Sequence, residues 1–280
     1  MRFDSNRAWT GGIAKVMANR DVLIALAGVF FFLPTLLSGV FLADVQAVMM
    51  ANLENEAVLK QVMAEHMGSI LALSLGSALV QGLGYLAVMA LLSGQGRPTV
   101  GEAIRTAFRS LPTLIAASLI YFAAFVLIML VAGLFVGALG GLTGLAGVMS
   151  GVMVLFVMVG LFYTSIRLSL LTATIVRDGI ANPLHALLRS WQLTRGNALR
   201  LLGFFLLLFA GYLALSFVLS LFVVTPVALL AGPGDATTLA GGIVSGLIGA
   251  VASVIMTALL VEAHEQLSGG MPGSEAKTFE

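Results

Sequence analysis

The side chains best equipped for chemistry in this chain are few and scattered. Its three histidines, His66, His185 and His264, fall in separate connecting or terminal segments. The stretch "HEQLS" at 264–268 begins like a zinc-protease helix, but Ser268 stands where the second imidazole ligand is needed. "GPGD" at 232–235 has the form of an intramembrane aspartyl-protease motif. That chemistry needs two carboxylates sharing a proton, and no second aspartate lies inside an apolar run. No Gly-x-Ser-x-Gly elbow or phosphate loop is present. Cysteine is absent, which excludes disulfides, thiolate metal sites and thiolate nucleophiles. The expectation is a protein that is not an enzyme and has no cofactor or metal.

Three polar side chains remain, set inside or at the edge of apolar runs: Arg167, Glu262 and Gln81. An arginine at the centre of a lipid-embedded helix costs roughly 2.5–3.5 kcal/mol on insertion scales, and less near an end, where it can snorkel. Arg167 is expected near the basic end of its span, at a depth comparable to Glu262. The two are expected to pair, with a substrate or ion site as the alternative. Gln81, beside Ser77 and Gly82, is expected to hydrogen-bond across helices. Two glycine ladders, 137/141/144/147/151 and 242/246/249, are expected to mark close helix contacts, with a broken transport helix as the alternative.

The elements that position these residues follow from composition. Mean hydropathy is +1.06 and 10% of residues are charged, against about 25% in soluble domains. Such a chain buries its surface in lipid. Six runs are long enough to cross a hydrocarbon core about 30 Å thick: 22–43, 69–93, 111–136, 148–176, 198–231 and 238–261. None alternates as a barrel strand does, so the fold class is all-α, a polytopic membrane helix bundle. A single domain over 1–267 is expected, followed by a disordered cytoplasmic tail, 268–280. The first run is too long for a cleaved signal and is expected to be retained. The segment 44–68 is helix-prone and is expected to extend spans one and two.

Every lysine and arginine of the 14 except Lys60 and Arg167 lies on one side: in the N-terminal segment, at 94–110, at 177–200 or in the tail. Asp44, Glu54, Glu56, Glu65 and Asp235 lie on the other side with Lys60. The positive-inside bias puts both termini in the cytoplasm. Each basic segment is amphipathic at helical spacing. One stripe is Trp9, Ile13, Val16 and Met17; a second is Val100, Ile104, Ala107, Phe108 and Leu111; the third is Leu184, Leu187, Leu188 and Trp191. Thr99 and Glu102 form a capping box at the start of the second. The expected unit is an in-plane cytoplasmic helix followed by a transmembrane hairpin, three times over. Trp9, Arg105, Phe108, Arg109, Arg189, Trp191, Arg195 and Arg200 are the candidates for contact with anionic lipid headgroups.

One stretch carries a resemblance. "RLSLLTATIVRDGIANPLHALLRSWQLTRGN", residues 167–197, has an arginine late in a span, then "IVRDG", then "AL-x-x-SW-x-L-T-R-G". With "NRD" before the first span, it resembles the YciC-like bacterial inner-membrane proteins and the membrane domain fused to some glycerophosphoryl diester phosphodiesterases. The resemblance implies a six-span membrane domain without hydrolase activity, since the catalytic barrel would need about 250 further residues. The function expected is non-enzymatic contact with anionic lipids or a membrane-protein partner, and not with nucleic acid. A small-molecule or lipid transporter is the alternative.

Overall fold

The apolar runs fold as helices because only an unbroken helix or a closed barrel satisfies every backbone N–H and C=O in hydrocarbon. The structure, a computed structural model, describes residues 2–93, 98–143, 146–232 and 234–269. Arg97, Gly144, Pro233, Lys277 and residues 270–280 of the expected tail lie outside the described residues. Twelve α-helices are present among those described: α1 (Ser5–Ala18), α2 (Arg20–Ala27), α3 (Leu33–Phe41), α4 (Ala43–Ala51), α5 (Glu56–Ser93), α6 (Val100–Thr143), α7 (Ala146–Arg167), α8 (Leu171–Val176), α9 (Pro183–Leu193), α10 (Ala198–Leu219), α11 (Thr225–Ala231) and α12 (Asp235–Leu267). Two π-helical segments, Gly28–Phe32 and Ser220–Val224, join α2 to α3 and α10 to α11. No strand occurs among the described residues, and six helical stretches are long and apolar enough to cross a membrane. The chain is an all-α, multi-pass membrane protein.

Both π segments sit just before a proline, Pro34 and Pro226, in the first turn of the next helix. Proline has no N–H, and its ring crowds the carbonyl four residues back. Widening one turn relieves this: the N–H of Leu33 reaches Gly28 O, and that of Thr225 reaches Ser220 O, five residues back. Threonine hydroxyls serve the loosened carbonyls, Thr35 donating to Phe31 O at 2.8 Å and Thr225 to Ser220 O at 3.2 Å.

Two expectations change in the structure, and a third, the helical reading of 44–68, does not. The second in-plane helix is not separate: α6 runs through Pro112 as 44 residues, about 66 Å at 1.5 Å per residue. That is over twice a hydrocarbon core, so its capped first turns extend beyond the lipid. The Thr99–Glu102 box does form, Thr99 N donating to Glu102 Oε2 at 2.8 Å and Glu102 N to Thr99 Oγ1 at 3.3 Å. Span four is divided, since α7 ends at Arg167 and a turn separates it from α8. The segment 44–68 is largely helical, with α5 starting at Glu56 and a short turn at 52–55.

Two compact units make up the chain. The first comprises Met1–Ala8, Phe108–Phe204 and Leu260–Glu280; the second comprises Trp9–Ala107 and Phe205–Leu259. The second unit packs by glycine. A Cβ on Gly246 would lie 2.8 Å from the Phe32 ring, one on Gly242 would lie 3.0 Å from Leu36, and one on Gly84 would overlap Phe30. Phe31, fully buried, tilts on Tyr85 at 4.8 Å between centroids. Cross-helix hydrogen bonds come from Ser38–Ser77 at 2.8 Å and Tyr85–Ser253 at 3.0 Å. Gln81 makes none among the described residues; Ser77 and Tyr85 of the same helix make them instead. The other glycine ladder differs as well: added Cβ atoms at Gly137, Gly147 and Gly151 would meet open space, as would one on Gly249 at the end of the 242/246/249 ladder. Those glycines do not seat a helix of this chain.

Candidate functional site

In the first unit, the end of α7 meets the loop and helix that follow it. Asn182 opens α9, its side chain accepting the N–H groups of Leu184 (3.0 Å) and His185 (3.3 Å), with Pro183 in the first turn. One face of α9 is buried, through the small Ala186 and Ser190 and, at its end, Leu193. Breaking span four at Arg167 leaves that residue's carbonyl without a helical partner. Ser190 fills the gap, its hydroxyl donating to Arg167 O at 3.1 Å, and the Thr194 hydroxyl, shared with Ser190 O at 2.9 Å, lies 3.0 Å from the same carbonyl. Such a bond contributes about 1 kcal/mol, and leaving the carbonyl bare costs more.

The guanidinium of Arg167 turns onto aromatic faces. Its central carbon lies 4.4 Å from the Trp191 ring centroid and 5.9 Å from that of Tyr163, and the two rings meet edge to face at 5.9 Å. Arg167 is only 4% exposed, and its Nε has no hydrogen-bond partner. The expected pair with Glu262 is not formed: no ion pair among the described residues includes Arg167, although Glu262 is also buried. Stacking on an indole and standing at a helix C-terminus both favour the cation without a carboxylate.

A second cluster ties the "RDG" turn to the end of α12. Arg177 pairs with Glu265 at 2.8 Å and donates to Val261 O at 3.3 Å. Asp178 receives Arg189 Nε at 3.3 Å, and its other oxygen lies 3.1 Å from His264 Nε2. The latter is contact by proximity, since neither ring nitrogen of the buried His264 makes an aligned hydrogen bond. Burial pushes the Asp178 carboxyl up, but His264 first and Arg189 second outweigh it and hold it below the ordinary aspartate range. Gly179 (φ 65°) and Gly196 (φ 79°) take the left-handed turns that follow α8 and α9. The N-terminus joins the same unit: Phe3 N donates to Asn197 Oδ1 at 2.9 Å, and the Phe3 ring meets Phe204 at 5.4 Å.

Residues 12–267 match the family described as "Domain of unknown function (DUF7847)". The chain belongs to the DUF7847 family. No curated protein and no solved structure matches it.

In this DUF7847 chain the three amphipathic segments share one device. Each buries small residues four apart: Ala8 and Gly12, Ala103 and Ala107, Ala186 and Ser190. Each also exposes an aromatic directly after one of them: Trp9 at 43%, Phe108 at 58% and Trp191 at 37%. On α9 the stripe Leu184, Leu188 and Trp191 is exposed, opposite the small face. Arg105, Arg109, Arg195 and Arg200 are exposed too. Arg189, expected among the lipid contacts, is engaged with Asp178. The cluster of Asp178, His264, Arg177 and Glu265 and the hydroxyl grip on Arg167 O were not foreseen. Their only sequence signals were a polar run between spans and a glycine after each helix end.

Proposed function

We propose that this is a non-enzymatic protein of a bacterial inner membrane, with both termini cytoplasmic, that gathers anionic lipid around its cytoplasmic rim. The observation that carries the reading is the inverted seating of the three amphipathic segments. A connecting helix in water would turn its large apolar side chains inward; these turn alanine, glycine and serine inward and leave Trp9, Phe108, Leu184, Leu188 and Trp191 outward. Outward aromatics flanked by arginines suit the headgroup layer, where indole and guanidinium are both stabilised. The resemblance to YciC-like proteins supports the same compartment. Transport has less behind it, because grooves at span depth beside Tyr121 and Leu127 are lined by hydrocarbon rather than by a hydrated path.

The test is lipid selection. Protein reconstituted in mixed phosphatidylglycerol and phosphatidylcholine, then extracted in mild detergent, should retain phosphatidylglycerol preferentially. Replacing Arg105, Arg109, Arg195 and Arg200 together by alanine should abolish the enrichment, since each basic side chain near the surface contributes about 1 kcal/mol toward anionic lipid. Unchanged enrichment in the quadruple variant would remove the reading.

A further inference from the structure

Between α6 and α7 lies a groove of about 450 Å³, lined by Tyr121, Phe125, Met153, Gly160, Thr164 and Trp191 among others. Its volume falls within the range of small-molecule sites, about 300–1,000 Å³. The walls present hydrocarbon, because the two hydroxyls on them, Tyr121 and Thr164, bond to each other at 2.9 Å. A Cβ on Gly160 would meet nothing within 4 Å, so the groove is open there. None of the hydrophobic window of α6, nor of the span that begins in α7, is buried inside the protein. What fills such a groove in a membrane is an acyl chain.

The groove is not uniformly apolar at its surroundings. Trp191, one of its lining residues, has the Arg167 guanidinium stacked on its ring at 4.4 Å. That guanidinium is nearly buried, has an unpartnered Nε and forms no ion pair among the described residues. A buried cation without a counter-ion is costly, and each such group calls for a partner. The ring faces and the α7 C-terminus compensate part of that cost; an oxyanion would compensate the rest. Hydrocarbon groove and unpaired guanidinium meet at one indole, and a single molecule that serves both is a phospholipid.

We infer that the α6–α7 groove and Arg167 together bind one anionic glycerophospholipid, an acyl chain lying along the groove and the phosphate meeting Arg167. The inference rests on the lipid reading above and narrows it from a rim of exchanging lipids to one retained molecule. Trp191 is its reporter. The chain has two tryptophans, so Trp9→Phe leaves a single indole at the groove.

Purified Trp9→Phe protein in dodecyl maltoside is titrated with phosphatidylglycerol brominated on its acyl chains, and Trp191 fluorescence is read. Quenching should saturate at a single lipid per protein, and brominated phosphatidylcholine should bind about tenfold more weakly. Gly160→Phe fills the groove where space is open, so it should lose the saturable step with its melting temperature retained. Arg167→Gln should weaken phosphatidylglycerol by about tenfold and erase its advantage over phosphatidylcholine. Arg167→Lys, which keeps the charge, should retain part of that advantage, so the assignment stays testable where Arg167→Gln folds poorly. Inorganic phosphate should not displace the lipid, because it lacks the chain. Quenching that rises without saturation, an unchanged curve for Gly160→Phe, or displacement by inorganic phosphate would overturn the assignment. The quadruple rim variant should keep the saturable step, so failure of the rim and failure of the groove are read separately.

Discussion

Asp178 is held by the Arg189 guanidinium at 3.3 Å and lies 3.1 Å from the His264 ring. A carboxyl whose folded value lies below its unfolded one adds stability that is fully present above the unfolded value, near 3.9. That stability is lost as the pH falls through the lowered folded value. Asp178→Asn should therefore destabilise the protein at neutral pH by about 1 kcal/mol, the scale of a partly exposed ion pair. The difference from wild type should shrink and vanish as the pH drops well below 4. Thermal melts of both proteins across that range check it; a gap that stays constant down to the acid limit would mean the carboxylate charge contributes nothing. Neighbouring Arg167 follows a different logic. Its carbonyl has the Ser190 hydroxyl as donor with that of Thr194 beside it, and its side chain relies on rings rather than on an acid. From sequence, the depth and oddity of Arg167 were legible because a lone cation in an apolar run has few explanations. Its partner was not: Glu262 matched it in depth alone, while the indole that stacks on it is 24 residues further along.

At the scale of elements, glycine separates contacts within this chain from surfaces left open. Gly246 and Gly249 lie three residues apart on α12, yet a Cβ on the first would press on the Phe32 ring at 2.8 Å and Phe32 O at 3.3 Å, and one on the second would touch nothing. Gly246→Ala should cost about 1–3 kcal/mol through overpacking. Gly249→Ala should be neutral or stabilising by up to about 1 kcal/mol, since alanine is the better helix former. Melting temperatures of the pair in one detergent decide it; equal effects would show that the close approach is not what Gly246 serves. The sequence announced both glycines identically, as members of a small-residue ladder. Spacing tells which glycines share a face, but the neighbour that needs the space comes from a distant span. The same limit explains the other departures. Six apolar runs, the capping box and the helical tendency of 44–68 are local properties and were legible. The continuation of α6 through Pro112 and the break after Arg167 were not, because tertiary partners decide whether a turn is kept. The break survives because Ser190, with Thr194 beside it, satisfies the carbonyl it exposes.

For the molecule as a whole, charge and burial bear on the same question of how it sits in the bilayer. The exposed aromatics Trp9, Phe108 and Trp191 lie within two residues of Arg7, Arg109 and Arg189, in the segments that hold nearly every basic residue. In the segment proposed to face the opposite side, α5 begins at Glu56, and the exposed Lys60 pairs with Glu56 at 2.6 Å, a surface contact worth under about 1 kcal/mol. Lysine there is neutralised locally and opposes the positive-inside bias only weakly. The proposed orientation is thus fixed by the basic segments, and it can be read directly because the chain has no cysteine to interfere. Single-cysteine proteins Lys60→Cys, Arg2→Cys and Arg195→Cys, expressed in intact cells, are treated with a membrane-impermeant maleimide before and after permeabilisation. Lys60→Cys should label at once, while Arg2→Cys and Arg195→Cys should label only once the membrane is opened. Labelling of Arg2→Cys in intact cells would set the N-terminus outside and remove the cytoplasmic rim on which the lipid reading depends. Opposite results at positions 2 and 195 would require an odd number of crossings between them, so one of the first four spans would not traverse the bilayer.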